Sequence, residues 1–121
     1  MPLLEIEIIG KPTVPQNGLA RKLADAIAEV FDSKPAQTWV RLRYLPVENY
    51  AENETDKPLG AKAVFVSILK YELPAASVLK KEARQLSIAV GKICGRSPKH
   101  IHIIYAPEGR GRIAFGGNLV Q

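Results

Sequence analysis

The sequence is poor in residues that cross-link chains or bind metals. Its 121 residues include one cysteine, Cys94, and two histidines. An internal disulfide is therefore excluded, and no Cys/His spacing typical of a metal site occurs. No glycine-rich loop leads from a strand into a helix, as phosphate binding would require. We expect no metal and no cofactor, a reducing compartment, and a buried packing role for Cys94.

Long apolar runs are also missing. No apolar segment approaches the ~20 residues of a membrane span, and no basic and then apolar leader opens the chain. These absences predict a cytoplasmic protein without a membrane partner. The length fits one domain, and a chain of this size buries roughly 65% of its unfolded surface, which is enough for a core without disulfides.

The positive charge of the chain is dispersed. The formal net charge is +5 and the pI is about 9.5, but no basic run is longer than Lys80 and Lys81. The aromatic residues do not alternate with basic ones as they do in RNA-binding segments. This distribution argues against a nucleic acid partner and favours a basic pocket for a small anionic ligand.

The first half of the chain has the pattern of a β-α-β unit. Leu3–Ile9 alternates between apolar and polar residues as a strand does. The apolar spacing of 15–32 is typical of an amphipathic helix, and Pro15 suits its first turn. The segment 38–45 alternates again and predicts a second strand that ends before the next proline.

The second half repeats this order. The segment 63–69 predicts an apolar strand, 74–94 a helix with Gly95 as its C-cap, and 100–106 a final strand. Helical crossovers of this length join parallel strands. The sequence therefore predicts an α/β fold in which duplicated β-α-β units form one four-stranded sheet with both helices on one face.

The domain organisation follows from this repeat. We predict a single domain over 1–121, with unit one at 2–46 and unit two at 61–107. The polar segment 47–60 between them is expected to be an exposed loop. The glycine-rich tail, 108–121, is expected to form a turn or a short hairpin with an apolar end.

Four segments carry a resemblance to a known family. The chain opens Met-Pro-Leu-Leu, with Pro2 leading directly into the first strand, and 33–37 reads Ser-Lys-Pro-Ala-Gln. The tail contains Gly-Arg-Gly-Arg at 109–112 and Phe-Gly-Gly-Asn-Leu at 115–119. Together with the β-α-β duplication, these segments resemble the tautomerase superfamily. The likeness is to macrophage migration inhibitory factor at 33–37, to malonate semialdehyde decarboxylase at 109–112 and to 4-oxalocrotonate tautomerase (4-OT) at 115–119.

The resemblance implies an assembly and a catalyst. Members of this superfamily are homotrimers whose three sheets form a barrel, with helices outside and active sites at the subunit interfaces. Their catalyst is the amine of an N-terminal proline, which removal of Met1 would expose here at Pro2. An α-amino group titrates near ~8, and burial or nearby cations shift its pKa towards neutrality, where proton transfer is efficient.

Several residues match positions that line the family's pocket. Lys34 corresponds to a lysine that binds a carboxylate or carbonyl oxygen of the substrate. Ile113 and Phe115 correspond to the apolar and aromatic walls, which would desolvate Pro2. Lys70 and Tyr71 follow the third strand, where the family places further pocket residues. Lys34 could equally be a solvated loop lysine, and Ile113 and Phe115 could be core packing of the C-terminal hairpin.

Other positions depart from the family's pattern. His102 and Ile104 stand where the inhibitory-factor branch has a tyrosine, contributed by the neighbouring subunit, and an asparagine. These changes argue against phenylpyruvate- or dopachrome-like specificity, although His102 can still donate a hydrogen bond. Arg110 and Arg112 in the tail are candidate carboxylate ligands or solvated surface residues.

The arginine of the 4-OT branch that binds a dicarboxylate is replaced. Its second-strand position corresponds here to Val40, and the neighbouring Arg41 and Arg43 are expected on the opposite side of the strand. The arginine pair that follows the third strand in the dehalogenase and decarboxylase branches is absent, and Lys70 is the cation at that point. The resemblance therefore does not select one branch.

Three functions remain open at this point. The first is a tautomerase or isomerase of a small 2-oxo or enol carboxylic acid with Pro2 as the base. The second is a hydratase, dehalogenase or decarboxylase in which protonated Pro2 is the general acid. The third is a non-catalytic oligomeric binding protein on the same fold, which retention of Met1 would favour because an amide nitrogen is not basic.

Overall fold

Four strands and two long helices follow one another in the order β-α-β-β-α-β in the computed structural model, which describes residues 2–121. Two short strands follow in the tail. The elements are β1 (Leu3–Ile9), α1 (Leu19–Phe31), β2 (Trp39–Leu45), β3 (Val64–Leu69), α2 (Ala76–Cys94), β4 (Ile101–Tyr105), β5 (Ala114–Phe115) and β6 (Asn118–Leu119).

The four long strands form one mixed sheet in the order β2-β1-β3-β4. β1 is parallel to β2 and β3 is parallel to β4, as each crossover helix requires, while the two units meet through antiparallel pairing of β1 with β3. Leu3 lies opposite Trp39 on one side and Leu69 on the other. This arrangement confirms the predicted α/β fold with duplicated β-α-β units.

The two faces of the sheet differ in chemistry because side chains alternate along each strand. One face packs against α1 and α2 and forms the core. The buried residues of this core are Leu4, Ile6, Ile8, Leu19, Leu23, Ile27, Val64, Val66, Ile68, Leu86, Val90, Cys94 and Ile101. On the other face, Arg41 contacts Glu5 at 2.8 Å and Arg43 contacts Glu7 at 3.0 Å, so both arginines lie on the side predicted for them.

Helix starts differ from the sequence prediction. α1 begins at Leu19 rather than at 15, because Gly18 adopts a left-handed conformation with φ of 74°. The turn before it is closed by the Leu19 N–H, which donates to the carbonyl of Gln16. Pro15 therefore lies in the connection and not in the first turn. α2 begins at Ala76 rather than at 74 and ends at the predicted cap, Gly95, with φ of 69°.

The loop and the tail contain short regular elements. The segment 47–60 is mostly exposed, but it holds a 3₁₀ turn at Val47–Asn49 and the start of another at Leu59–Lys62. The tail forms the expected hairpin, in which Gly116 and Gly117, both with positive φ, connect β5 and β6. The division of the chain into units at 2–46 and 61–107 stays a prediction.

Cys94 is fully buried at the end of α2, as its apolar neighbours in the sequence indicated. Burial raises the pKa of its thiol from 9.0 to about 11, and the charge of Arg96 opposes this only partly. The folded state therefore keeps a proton that the unfolded state releases first.

Across residues 2–121, no helix has both the length and the apolar character needed to cross a membrane.

The Cys94 thiol should make stability fall at alkaline pH. As pH rises from about 9.0 to about 11, the unfolded chain binds fewer protons than the folded one, so the free energy of unfolding decreases by up to about 2 kcal/mol. Urea unfolding at several pH values measures this slope. Cys94→Ala should show a shallower slope over the same range, and an unchanged slope would assign the effect to other groups, such as Tyr105.

Candidate functional site

Pro2 is buried directly before β1, which is a central strand, so it lies at an end of the sheet and not along an edge strand. Its carbonyl accepts a hydrogen bond from the N–H of Trp39 at 3.1 Å, which continues the β1–β2 ladder. On the other side, the pairing of Leu3 with Leu69 brings Lys70 opposite Pro2. The start of β1 is therefore flanked by the start of β2 and the end of β3.

The tail folds back over this end of the sheet, where β1 and β2 start and β3 ends. The N–H of Gly109 donates to the carbonyl of Lys70 at 2.8 Å, and a side chain at Gly109 would meet that same oxygen at 3.3 Å. This close approach explains why a glycine stands there. Further along, the ring of Phe115 packs edge-on against Trp39 at 5.2 Å between centroids. Ile113 lies beside Gly109, so the tail brings apolar side chains to the end of β3 and the start of β2.

Lys70 points to the helix layer and is ion-paired there. Its ammonium lies 3.0 Å from Glu82 of α2 and 4.7 Å from the ring centroid of Phe31. Tyr105 donates its hydroxyl to the same Glu82 carboxylate at 2.8 Å. Burial, and then this hydrogen bond, raise the pKa of Tyr105. The cation that the sequence offered as a substrate ligand thus has an anionic partner in its own chain.

A second cluster at the same end of the sheet consists of Tyr71, Glu72 and Arg110. The Arg110 guanidinium stacks over the ring of Tyr71 at 4.8 Å and forms an ion pair with Glu72. The hydroxyl of Tyr71 donates to the carbonyl of Gln121, which ties the end of the tail to the end of β3. Arg112 lies nearby with its side chain exposed, and its N–H donates to Gly109. Arg110 is therefore paired, while Arg112 extends into solvent.

Lys34 is exposed in the α1–β2 connection, at the same end of the sheet as Pro2. It lines a surface cavity of about 510 Å³ together with Ser33, Pro35 and Thr38. Pro2 is not among the residues that line this cavity. In the described chain, Lys34 and Pro2 thus lie at the same end of the sheet but do not line the same cavity.

His102 and Ile104 lie on the open face of β4, away from Pro2. His102 is paired in register with Phe65, and their rings are 5.3 Å apart. Ile104 is 53% exposed. Lys70, which lies opposite Pro2, follows Phe65 by five residues along β3, roughly 16 Å at ~3.3 Å per residue. A single chain does not bring His102 together with Pro2.

Sequence reasoning missed a cavity of about 480 Å³ next to His102. Tyr50, Glu52, Gly60, Lys99 and His100 complete its lining. The Glu52 carboxylate accepts hydrogen bonds from the Tyr50 hydroxyl at 2.7 Å and from the Gly60 N–H at 2.8 Å, and the first of these raises the pKa of Tyr50. The loop 47–60 looked featureless because its polar residues lack periodicity, and the Tyr-Ala-Glu triplet was its only signal.

The described residues also bear on metal binding. Within 2–121, no group of three or more His, Cys, Asp or Glu side chains is arranged to hold a metal ion. Glu52 and the two histidines line the same cavity, and the Glu52 carboxylate is hydrogen-bonded there to Tyr50 and Gly60. The side chains available at the two ends of the sheet are therefore carboxylates, phenols, imidazoles and cations.

Comparison with known proteins finds similar folds but no similar sequence. No family model and no curated protein sequence matches this chain. Among solved structures, a fused 4-OT described as a symmetric trimer is 16% identical, with a TM-score of 0.77, and the match covers 98% of this chain and 94% of that one. Macrophage migration inhibitory factor from Oncomelania hupensis is 16% identical, with a TM-score of 0.71 and coverage of 98% and 81%.

A third neighbour comes from another branch. Malonate semialdehyde decarboxylase, whose structure was interpreted in terms of decarboxylase and hydratase activities, is 14% identical with a TM-score of 0.68, and the match covers 94% of this chain and 90% of that one. Identities this low establish a common fold and do not select an activity. The chain therefore has the fold of the tautomerase superfamily, as its second-position proline, its repeated β-α-β unit and its Gly-Gly tail indicated.

Proposed function

We propose that this protein is a cofactor-independent keto–enol tautomerase of a small 2-oxo or enol carboxylic acid, with the amine of Pro2 as its acid–base catalyst. Removal of Met1, which lies outside the described residues, is part of the proposal. The observation that carries it is the burial of Pro2 directly before β1, bonded to Trp39, whose ring packs against Phe115 of the tail hairpin. A general base needs such a poorly hydrated position to stay neutral near pH 7.

The reaction needs one proton to move in two steps. The neutral Pro2 amine takes a proton from the carbon next to the carbonyl group, or from the enol oxygen. The resulting ammonium then returns the proton to the other end of the conjugated system, so Pro2 is regenerated. The pyrrolidine ring prevents rotation about the N–Cα bond of Pro2, and β1 is paired on both sides, so the direction of the nitrogen lone pair is set by the sheet.

Cations at the same end of the sheet as Pro2 would bind the substrate carboxylate. Arg112 and Lys34 are exposed there, and Arg110 is held by Glu72 until a substrate competes for it. Ile113 and Phe115 would form the apolar wall, with Trp39 behind Phe115. Tyr71, stacked under Arg110, would orient that arginine.

We further propose that the chain is a single domain that assembles as a homotrimer in which three sheets form a barrel. Three of the structural neighbours, all fused 4-OT proteins, are described as trimers. On the open face of the sheet of this chain, Trp39 is 46% and Ile104 53% exposed, which suits an interface. In such a trimer, His102 and Ile104 of a neighbouring copy would complete the pocket around Pro2.

One observation favours a second candidate, the addition of water to an unsaturated acid. The cavity beside His102 contains the Glu52 carboxylate, held by Tyr50 and by the N–H of Gly60. A positioned carboxylate can act as general base towards water, while protonated Pro2 of a neighbouring copy supplies the acid. The dehalogenase and decarboxylase alternatives would use the same protonated Pro2.

The pH dependence of the rate separates the two candidates. With Met1-free protein, kcat/KM for an enolisable 2-oxo acid should rise with pH through the pKa of the Pro2 amine and then level off, because the neutral amine is the active form. Hydration of an unsaturated acid would instead lose rate over the same range, because the ammonium is needed. No activity in either assay at any pH would leave the non-catalytic binding protein as the better description.

A further inference from the structure

A sheltered ion pair connects the end of β3 to helix α2. Lys70 and Glu82 are 3.0 Å apart, and their side chains are only 19% and 12% exposed. A second oxygen of the same carboxylate lies 3.3 Å from the Lys70 ammonium, and the Tyr105 hydroxyl adds a hydrogen bond of 2.8 Å. The other ion pairs described above involve side chains that are 26–69% exposed. This one is thus the most sheltered of them.

The register of the sheet relates this pair to Pro2. Leu4, Ile6 and Ile8 of β1 are buried against the helices, so Pro2, two residues before Leu4, shares their face. On β3, Ile68 has the same orientation and Lys70 follows it by two residues. Residues directly opposite on antiparallel strands have Cβ atoms about 5 Å apart. Pro2 and Lys70 are therefore cross-strand neighbours on the helix-facing side.

We propose that Glu82 is a positioning residue for the Pro2 amine: it holds the Lys70 ammonium against α2 and neutralises the cation that lies opposite Pro2. This inference rests on the proposed function, since it concerns the same amine. It also gives Lys70 a different role from the substrate ligand that the resemblance implied. Lys70 acts through its charge on the helix-facing side of Pro2. The exposed cations Lys34 and Arg112 bind the substrate instead.

Other charged groups face the same region from several elements. The helix layer contributes Glu82, the end of β4 contributes Tyr105, and the α1–β2 connection contributes Lys34. The charged or titratable groups on the tail side are Tyr71, Glu72, Arg110 and Arg112. Arg110 is compensated by Glu72, and Lys34 and Arg112 are exposed, so solvent screens their effect on Pro2. The sheltered Lys70–Glu82 pair is screened least.

The sign of the effect follows from charge alone. Without Glu82, the uncompensated Lys70 ammonium disfavours a second positive charge at Pro2, so the pKa of the Pro2 amine falls. Without Lys70, the Glu82 carboxylate favours the charged amine, so that pKa rises. Removing both charges restores a neutral surrounding. Opposite shifts from two variants that each break the same ion pair are not expected of a merely structural contact.

The experiment titrates Met1-free protein carrying ¹⁵N-labelled proline and follows the Pro2 nitrogen by NMR, beside the pH–rate profile. Glu82→Gln should move the titration midpoint down by roughly one pH unit and Lys70→Met up by a similar amount, while the double variant returns near the wild type. Asp25→Asn, which breaks the exposed Arg21–Asp25 pair of α1 at 3.1 Å, is the matched control and should change nothing.

Each result decides the inference separately from the proposed function. Equal midpoints in all these proteins would overturn the role of Glu82, even if keto–enol activity is present. Opposite shifts in a protein without keto–enol activity would support the role of Glu82 and reject the proposed reaction. If Glu82→Gln does not fold, Lys70→Met and the double variant still give the upward shift and its reversal, and their absence would contradict the proposal.

Discussion

Blocking the nitrogen of Pro2 should reduce the rate of keto–enol interconversion by about two to four orders of magnitude. A residue added ahead of Pro2 turns the secondary amine into an amide, which does not bind a proton near neutral pH. The rest of the site stays in place, because the first ladder contact of Pro2 uses its carbonyl and not its nitrogen. The measurement is kcat/KM for the same 2-oxo acid, with the N-terminus of each protein verified by intact mass.

Two variants frame this result. Pro2→Ala keeps a basic amine but loses the ring that prevents rotation about the N–Cα bond, so its rate should lie between those of the free and the blocked protein. Pro15→Ala changes an exposed proline in the β1–α1 connection, at the other end of β1, and should leave the rate unchanged. Equal rates for the free protein and the blocked one would remove Pro2 from the mechanism.

Replacement of Gly91 by alanine should destabilise the fold by about 2–3 kcal/mol and lower Tm by about 10 °C. Gly91 is buried in the last turns of α2, where the chain folds back over the helix towards β4. A Cβ there would lie 2.6 Å from the carbonyl oxygen of Arg96, and the N–H of Arg96 already donates to Gly91 at 2.8 Å. Backbone must therefore move to accept one methyl group.

The sign of this effect is opposite to what helix propensity predicts. On an open helix surface, glycine to alanine stabilises by about 1 kcal/mol. Gln85→Ala, at an exposed position in the same helix, is the control and should change the free energy of unfolding by less than about 0.5 kcal/mol. A neutral or stabilising Gly91→Ala, measured by urea unfolding at neutral pH, would show that the α2–β4 connection adjusts without cost.

The consequence would extend beyond stability. Arg96, whose carbonyl would be displaced, also donates from its guanidinium to the carbonyls of Ile9 at 3.0 Å and Lys11 at 3.3 Å. The connection after α2 is thus bonded to the end of β1, the strand that directly follows Pro2. A shift of this connection would be passed along a single strand to the candidate site.

Local patterns predicted the elements because their causes are local. Strand alternation gave β1 its correct bounds, since one face of the sheet must be apolar and the other need not be. The start of α1 was wrong because proline and glycine both suit a helix boundary, and only the conformation of Gly18 selects between them. The cavity around Glu52 was missed because its members are distant in sequence and the loop has no periodicity.

The sequence by itself determined the fold class, the duplication of the β-α-β unit, the separation of Val40 from Arg41 and Arg43 on β2, and the position of Pro2 directly before β1. All of these depend on periodicity and on residues near in the chain. Only the tertiary structure decided which charges are paired. Lys70 is held by Glu82 and Arg110 by Glu72, whereas Arg112 extends into solvent. Electrostatic pairing depends on distance in space, and helix α2 brings Glu82 to the end of β3 only when the sheet and helices have packed.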